Sequence, residues 1–143
     1  MESVFQFSNP MLLKLDFSVN PDFENIEEEK INLSLKLETQ VAQENEDDNE
    51  AFVVLCVTVG ERTKEFPFYV YAEEAASFRW EDGVYSDEAL EKLLRQNAPA
   101  LLLSYLRPII ANITNSSPYT SYDIPFMNFK ENKYNQEPAH QKL

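Results

Sequence analysis

The 143-residue sequence has the length of one domain and carries 25 acidic against 12 basic residues, a net charge of −13. Its two glycines, one cysteine and one histidine exclude glycine-rich phosphate loops, four-ligand Cys/His zinc sites and intrachain disulfides. A serine or cysteine nucleophile would have to borrow His140, near the end of the sequence, so no catalytic residue, metal or cofactor is assigned.

Hydrophobic residues make up 43% of the sequence, enough for a core that needs no crosslinks. Cys56 lies in the apolar run Phe52-Val53-Val54-Leu55-Cys56-Val57, where a free thiol behaves as a small buried hydrophobe. Phosphate backbones are held mainly by Lys and Arg, so the acid surplus argues against a nucleic-acid partner. No segment resembles a signal peptide or reaches the roughly 18 apolar residues of a membrane span. The expected compartment is the cytoplasm, without membrane insertion.

Alternation of Leu13, Leu15, Phe17 and Val19 with Lys14, Asp16 and Ser18 predicts a half-buried first strand, closed by Asn20-Pro21. An acidic connection over 22–30 leads to a second strand, with Ile31, Leu33, Leu35 and Leu37 on one face. The run 43–50 has no apolar member and lacks the central glycine of a calcium loop; it predicts a solvated hairpin turn. A third strand over 52–59 is apolar on both faces and belongs inside the sheet. Gly60 turns the chain into a fourth strand over about 64–72. Phe66, Phe68 and Val70 lie on one face of it and Tyr69 and Tyr71 on the other, with Pro67 marking an edge or bulge. Short connections predict an antiparallel meander of these four strands.

The period then changes. Ser86 can cap a helix whose first turn carries Asp87 and Glu88. Asn97-Ala98-Pro99 breaks it, and Pro99 suits the start of a second segment. That segment is apolar around nearly its whole circumference, with Arg107 and Asn112 the main polar exceptions, so both a sheet and a second protomer should cover it. Leu102, Tyr105, Leu106, Ile109 and Ile113 are the expected oligomer contacts, and Pro108 should bend the helix. Arg107 should pair with an acid or cap carbonyls across that interface. Asn112-Ile113-Thr114 matches a glycosylation acceptor, discounted on a buried helix. The expected organisation is one domain over 1–129 and a disordered polar tail over 130–143. The fold class is α+β: a four-stranded antiparallel sheet followed by a broken C-terminal helix.

In the second half, Pro99, Leu101-Leu102, Tyr105-Leu106-Arg107, Ile110, Pro118 and Asn128-Phe129 occur in an ordered series. That series resembles the bacterial protein-export chaperone family SecB. The first hundred residues resemble it in strand pattern and charge rather than identity. Glu73-Glu74-Ala75-Ala76-Ser77-Phe78 stands where the family commonly has glycines before a phenylalanine. Tyr69-Val70 stands where it tends to place an acid of the SecA-docking surface, which puts SecA docking in question. Pro108 replaces a typical glutamate. The sequence resembles a divergent SecB-like protein, such as those of streptococci and related Gram-positive bacteria.

The resemblance implies a homodimer or homotetramer, with helices at the interface, that binds unfolded polypeptide in apolar grooves between sheet and helix without ATP. Phe68, Tyr69, Tyr71, Phe78, Trp80 and Tyr85 are the expected polypeptide contacts, since exposed aromatic rings suit loose binding of many sequences. The competing reading packs these rings as satellite core under a loop. An adaptor serving one partner, such as a toxin–antitoxin chaperone, is the alternative function. A carboxylate-only hydrolase finds no acid in an obviously apolar setting.

Overall fold

A computed structural model describes residues 5–23, 32–45, 48–129 and 139–142. Six strands form one sheet: β1 (Phe5–Phe7), β2 (Met11–Val19), β3 (Asn32–Ala42), β4 (Glu50–Gly60), β5 (Phe68–Trp80) and β6 (Ala139–Lys142). Helix α1 (Asp87–Lys92) passes through a π-helical turn (Leu93–Asn97) into α2 (Ala98–Asn115). The α+β class holds, with a larger sheet than the expected four strands.

The middle of the sheet is the expected meander, β3 against β4 and β4 against β5, both antiparallel. The first long strand departs from it. β2 pairs with β5, setting Phe17 opposite Val70 and Val19 opposite Phe68, and β1 pairs with the far end of the same strand. Local alternation gives a strand its two faces but not its neighbour, which is chosen by the crossing of the whole chain. β4, apolar on both faces, is inner as expected.

β5 also starts later and runs much further than the predicted 64–72. Residues 64–67 lie in turns, with Pro67 just outside the ladder it could not have joined as a donor. At the other end of that turn Gly60 has φ +71°, and a Cβ there would come within 2.3 Å of Phe68 O. Only glycine fits both demands. Asn20 ties β2 to the same corner through Nδ2, which donates to Thr63 O at 3.0 Å and Phe66 O at 3.2 Å.

Alternating residues of β3, β4 and β5 build the core: Leu33, Leu35 and Leu37; Val53, Leu55, Val57 and Val59; Phe68, Val70, Ala72, Ala76 and Phe78. Above them lie Leu94, Ala98, Leu102, Leu106 and Ile110. Ser86 caps α1 as expected, its Oγ accepting from Ala89 N at 3.1 Å. The predicted break at Pro99 is instead a widened helical turn in which Ala98 N donates to Leu93 O. Pro99 has no N–H to continue the α register from below, and the extra residue absorbs the mismatch. α2 runs on through Pro108, which lies on its exposed side.

After α2 an irregular strap over 116–129 returns along the helix, burying Tyr122, Ile124 and Phe129. Thr114 fastens it: Oγ1 donates to Ile110 O at 2.7 Å and accepts from Tyr122 N at 2.8 Å. The segment from 130, expected to be disordered, contributes β6, whose Ala139–Lys142 pair with the Asn32–Leu35 end of β3. The rest of that segment, and the acidic connection beyond Phe23 up to Ile31, lie outside the described residues.

Candidate functional site

Period two along β5 decides what each aromatic does. Phe68, Val70, Ala72, Glu74, Ala76, Phe78 and Trp80 point to the helix side, and Tyr69, Tyr71 and Glu73 to the open face. The six predicted polypeptide contacts therefore do not form one surface. Phe68 and Phe78 are wholly buried core residues, because they share a face with Val70 and Ala72. Tyr69 and Tyr71 lie on the opposite side of the sheet.

Trp80 and Tyr85 do come together, with partners that the sequence did not single out. Phe5 stacks on Phe78 with ring centroids 5.6 Å apart and on Trp80 at 6.5 Å, and meets Tyr85 edge-on at 6.2 Å. Phe7 lies 6.1 Å from Phe78 and is 46% exposed. Leu12, on the same side of β2, is 40% exposed. α2 packs over β5 and β4, and β1 and β2 extend the sheet beyond it. The result is an apolar shelf whose floor is core and whose outer edge is open. The alternation Phe5-Gln6-Phe7 carried the signal, but three residues are too few to stand out as a strand.

The open face is built differently. Arg62 pairs with Asp16 and lies 4.4 Å over the Tyr69 ring. Tyr71 donates its hydroxyl proton to Glu73 Oε2 at 2.5 Å, and Lys14 Nζ lies 5.6 Å from its ring centroid. Desolvation, together with that bond, pushes the Tyr71 hydroxyl far above the ordinary tyrosine range. Cys56, buried beside them, has its thiol pKa raised mainly by burial. Both rings are half-buried and flanked by charged partners. At the β3–β4 turn Glu44, Asp48 and Glu50 ring a recess of about 410 Å³ over Phe52.

The helix corrects part of the expected oligomer surface. Leu102 and Leu106 are fully buried within the protomer and cannot meet a partner. Their positions face the sheet, one turn apart. Tyr105 is 43% exposed, Ile109 and Ile113 are half-buried, and Leu101 joins Tyr105 and Ile109 in a stripe at four-residue spacing. Arg107 caps a carbonyl of its own chain: Nε donates to Ile124 O at 2.8 Å, and the guanidinium lies 4.1 Å over the Phe126 ring. Among the described residues no helix is long and apolar enough to cross a membrane, and no group of three or more His, Cys, Asp or Glu could hold a metal.

A meander extended by its own first strand, a helix laid over one face and an open aromatic shelf beside it define an α+β protein. The family model for SecB, preprotein translocase subunit, matches residues 10–141, and the chain belongs to that family. It is similar to the uncharacterised protein MJ0357 of Methanocaldococcus jannaschii, 28% identical over 130 residues that cover 86% of this chain and 78% of the relative. Among solved structures it is similar to the Mycobacterium tuberculosis SecB-like chaperone Rv1957, in complex with a ChAD peptide from the antitoxin HigA1. That likeness has a TM-score of 0.69 at 15% identity and covers 86% of this chain and 90% of the other.

Proposed function

We propose that the protein is an ATP-independent holdase of the SecB family that binds non-native polypeptide on the apolar shelf. The observation that carries this reading is the edge formed by Phe7 and Leu12, exposed over a core floor of Phe78 and flanked by Trp80 and Tyr85. Rigid rings offer large contact area at small entropic cost and tolerate many sequences. The stripe Leu101, Tyr105 and Ile109, with Ile113, associates protomers into a homodimer or homotetramer. The working compartment is the cytoplasm, where a net charge of −13 keeps an oligomer with open apolar surfaces from self-aggregating. Tyr69, held under Arg62, takes the position where the resemblance places a SecA-docking acid, and we assign it no SecA contact. No catalytic step is assigned to any residue.

The test is aggregation of a heat-denatured client followed by light scattering, with the purified protein present and ATP absent. Suppression near one oligomer per client supports the reading; undiminished scattering at stoichiometric excess refutes it.

A second reading, a dedicated adaptor with one partner, is favoured by the antitoxin peptide in the Rv1957 complex. Affinity capture separates the two. A holdase retains many proteins, whereas an adaptor retains one dominant band.

A further inference from the structure

The sheet has two edges, and the end of the chain covers part of one. β6 pairs antiparallel with the outer side of β3, setting Ala139 against Leu35, His140 against Ser34, Gln141 against Leu33 and Lys142 against Asn32. The other edge, made by β2 and β1, lies across the sheet at the shelf. The backbone of β3 therefore accepts an added strand, and the chain itself supplies one. An unpaired row of N–H and C=O groups on an edge strand is a template for any extended chain, and covering it is a common remedy.

This cover is short and weakly anchored. β6 has four residues and β3 has eleven. In the observed register the next partner, opposite Lys36, is position 138, a proline with no N–H to give to a ladder. Among the described residues β3 has no strand partner on its outer side beyond Leu35. Further along, Arg95 Nη1 donates a long bond of 3.5 Å to Thr39 O. Positions 139 and 141 share a face with Leu35 and Leu33, both buried. Alanine and glutamine add little apolar area there, whereas Val, Ile or Leu at the same two positions would extend the core across the edge.

We propose that β6 is a displaceable guard strand, and that the β3 edge beneath it binds an extended, proline-free segment of a partner polypeptide with apolar residues at alternate positions. Such a segment pairs antiparallel with Asn32–Leu35 and continues past Lys36, gaining ladder hydrogen bonds that the tail cannot make. The tail competes for the same backbone groups, which lowers the apparent affinity by the fraction of time the edge stands open. The site goes beyond the holdase reading and is independent of it: it takes main chain at the β3 edge rather than side chains on the shelf.

The experiment locks and removes the guard. Ser34 and His140 are directly opposed, and opposed Cα atoms in an antiparallel pair stand about 4.5–5.5 Å apart, within disulfide reach. The full-length double variant Ser34→Cys, His140→Cys is compared oxidised and reduced; Cys56 is only 5% exposed and stays out of the crosslink. The probe is a fluorescein-labelled peptide of alternating valine and threonine, followed by anisotropy. The reduced variant should bind it as the wild type does, and oxidation should weaken binding by about tenfold or more. A chain ending at Pro138 should bind about tenfold tighter than the wild type. Equal binding by the oxidised and reduced forms overturns the inference and leaves the holdase reading intact, since the peptide then sits elsewhere. A shortened chain that binds no better than the wild type also overturns it, and that arm needs no crosslink. A double variant that forms no crosslink on oxidation removes the pairing on which the inference rests. Failure to capture a denatured client, with the difference between oxidised and reduced forms intact, refutes the holdase reading and leaves the guard strand standing.

Discussion

Phe5 stacks on Phe78 at 5.6 Å, and through that contact a three-residue strand is anchored to the far end of the core. The two rings beside Phe5 on β1 and β5 differ in consequence. Phe78 is wholly buried, so Phe78→Ala should cost about 3–5 kcal/mol in urea unfolding. Phe7 is 46% exposed on the same shelf. Phe7→Ala should cost less than about 1 kcal/mol and still weaken client capture several-fold. Equal losses of stability would show that the shelf edge is core after all.

Glu74 gives stability a specific pH dependence. Burial favours the neutral acid, so the folded chain keeps a proton that the unfolded chain releases near the ordinary value of 4.5. The contribution is complete below that pH, declines as pH rises through the raised folded pKa, and stays low above it. Glu74→Gln should remove this decline. At neutral pH the variant should be more stable by about 1–3 kcal/mol, with little difference at pH 4. Denaturant midpoints measured across pH 4–8 would show it.

Gly60 is a backbone requirement rather than a packing choice. With φ at +71° and Phe68 O only 2.3 Å from where a Cβ would stand, Gly60→Ala must move the β4–β5 corner. The expected loss exceeds about 2 kcal/mol. A thermal midpoint unchanged from wild type would contradict it.

Tyr105 separates association from folding. It is 43% exposed, whereas Leu106 beside it is fully buried. Tyr105→Glu should shift the particle toward protomers in multi-angle light scattering while leaving its circular dichroism unchanged. Leu106→Ala should instead lower stability by about 2–5 kcal/mol.

How much of this could be read in the sequence differs between elements for physical reasons. β3 and β4 were legible because burial on one or both faces writes itself as alternation or as a continuous apolar run. Ser86 was legible because a cap is a local hydrogen bond. β5 was truncated because Glu73-Glu74-Ala75-Ala76 has poor strand propensity, and only pairing with β4 on one side and β2 on the other holds it extended. That truncation hid the site. Carried on from Phe68, period two places Phe78 in the core, Trp80 beside it and Glu74 on the same buried side. The pairing of β2 with β5, which creates the shelf edge at Leu12, is a tertiary choice that no local pattern records. Family membership lay in the ordered series from Pro99 to Phe129, where helix and strap pack on each other.

Trp80 is the sole tryptophan, and it sits on the shelf, 6.5 Å from the Phe5 ring. Titrating the protein with a permanently unfolded, tryptophan-free polypeptide and following Trp80 emission therefore reports on occupancy of the shelf itself. The expected result is a saturable blue shift, independent of ATP and abolished by an excess of a second unfolded chain. Emission that stays unchanged while the same polypeptide is shown to bind by calorimetry would place the client elsewhere and contradict the shelf as the binding surface.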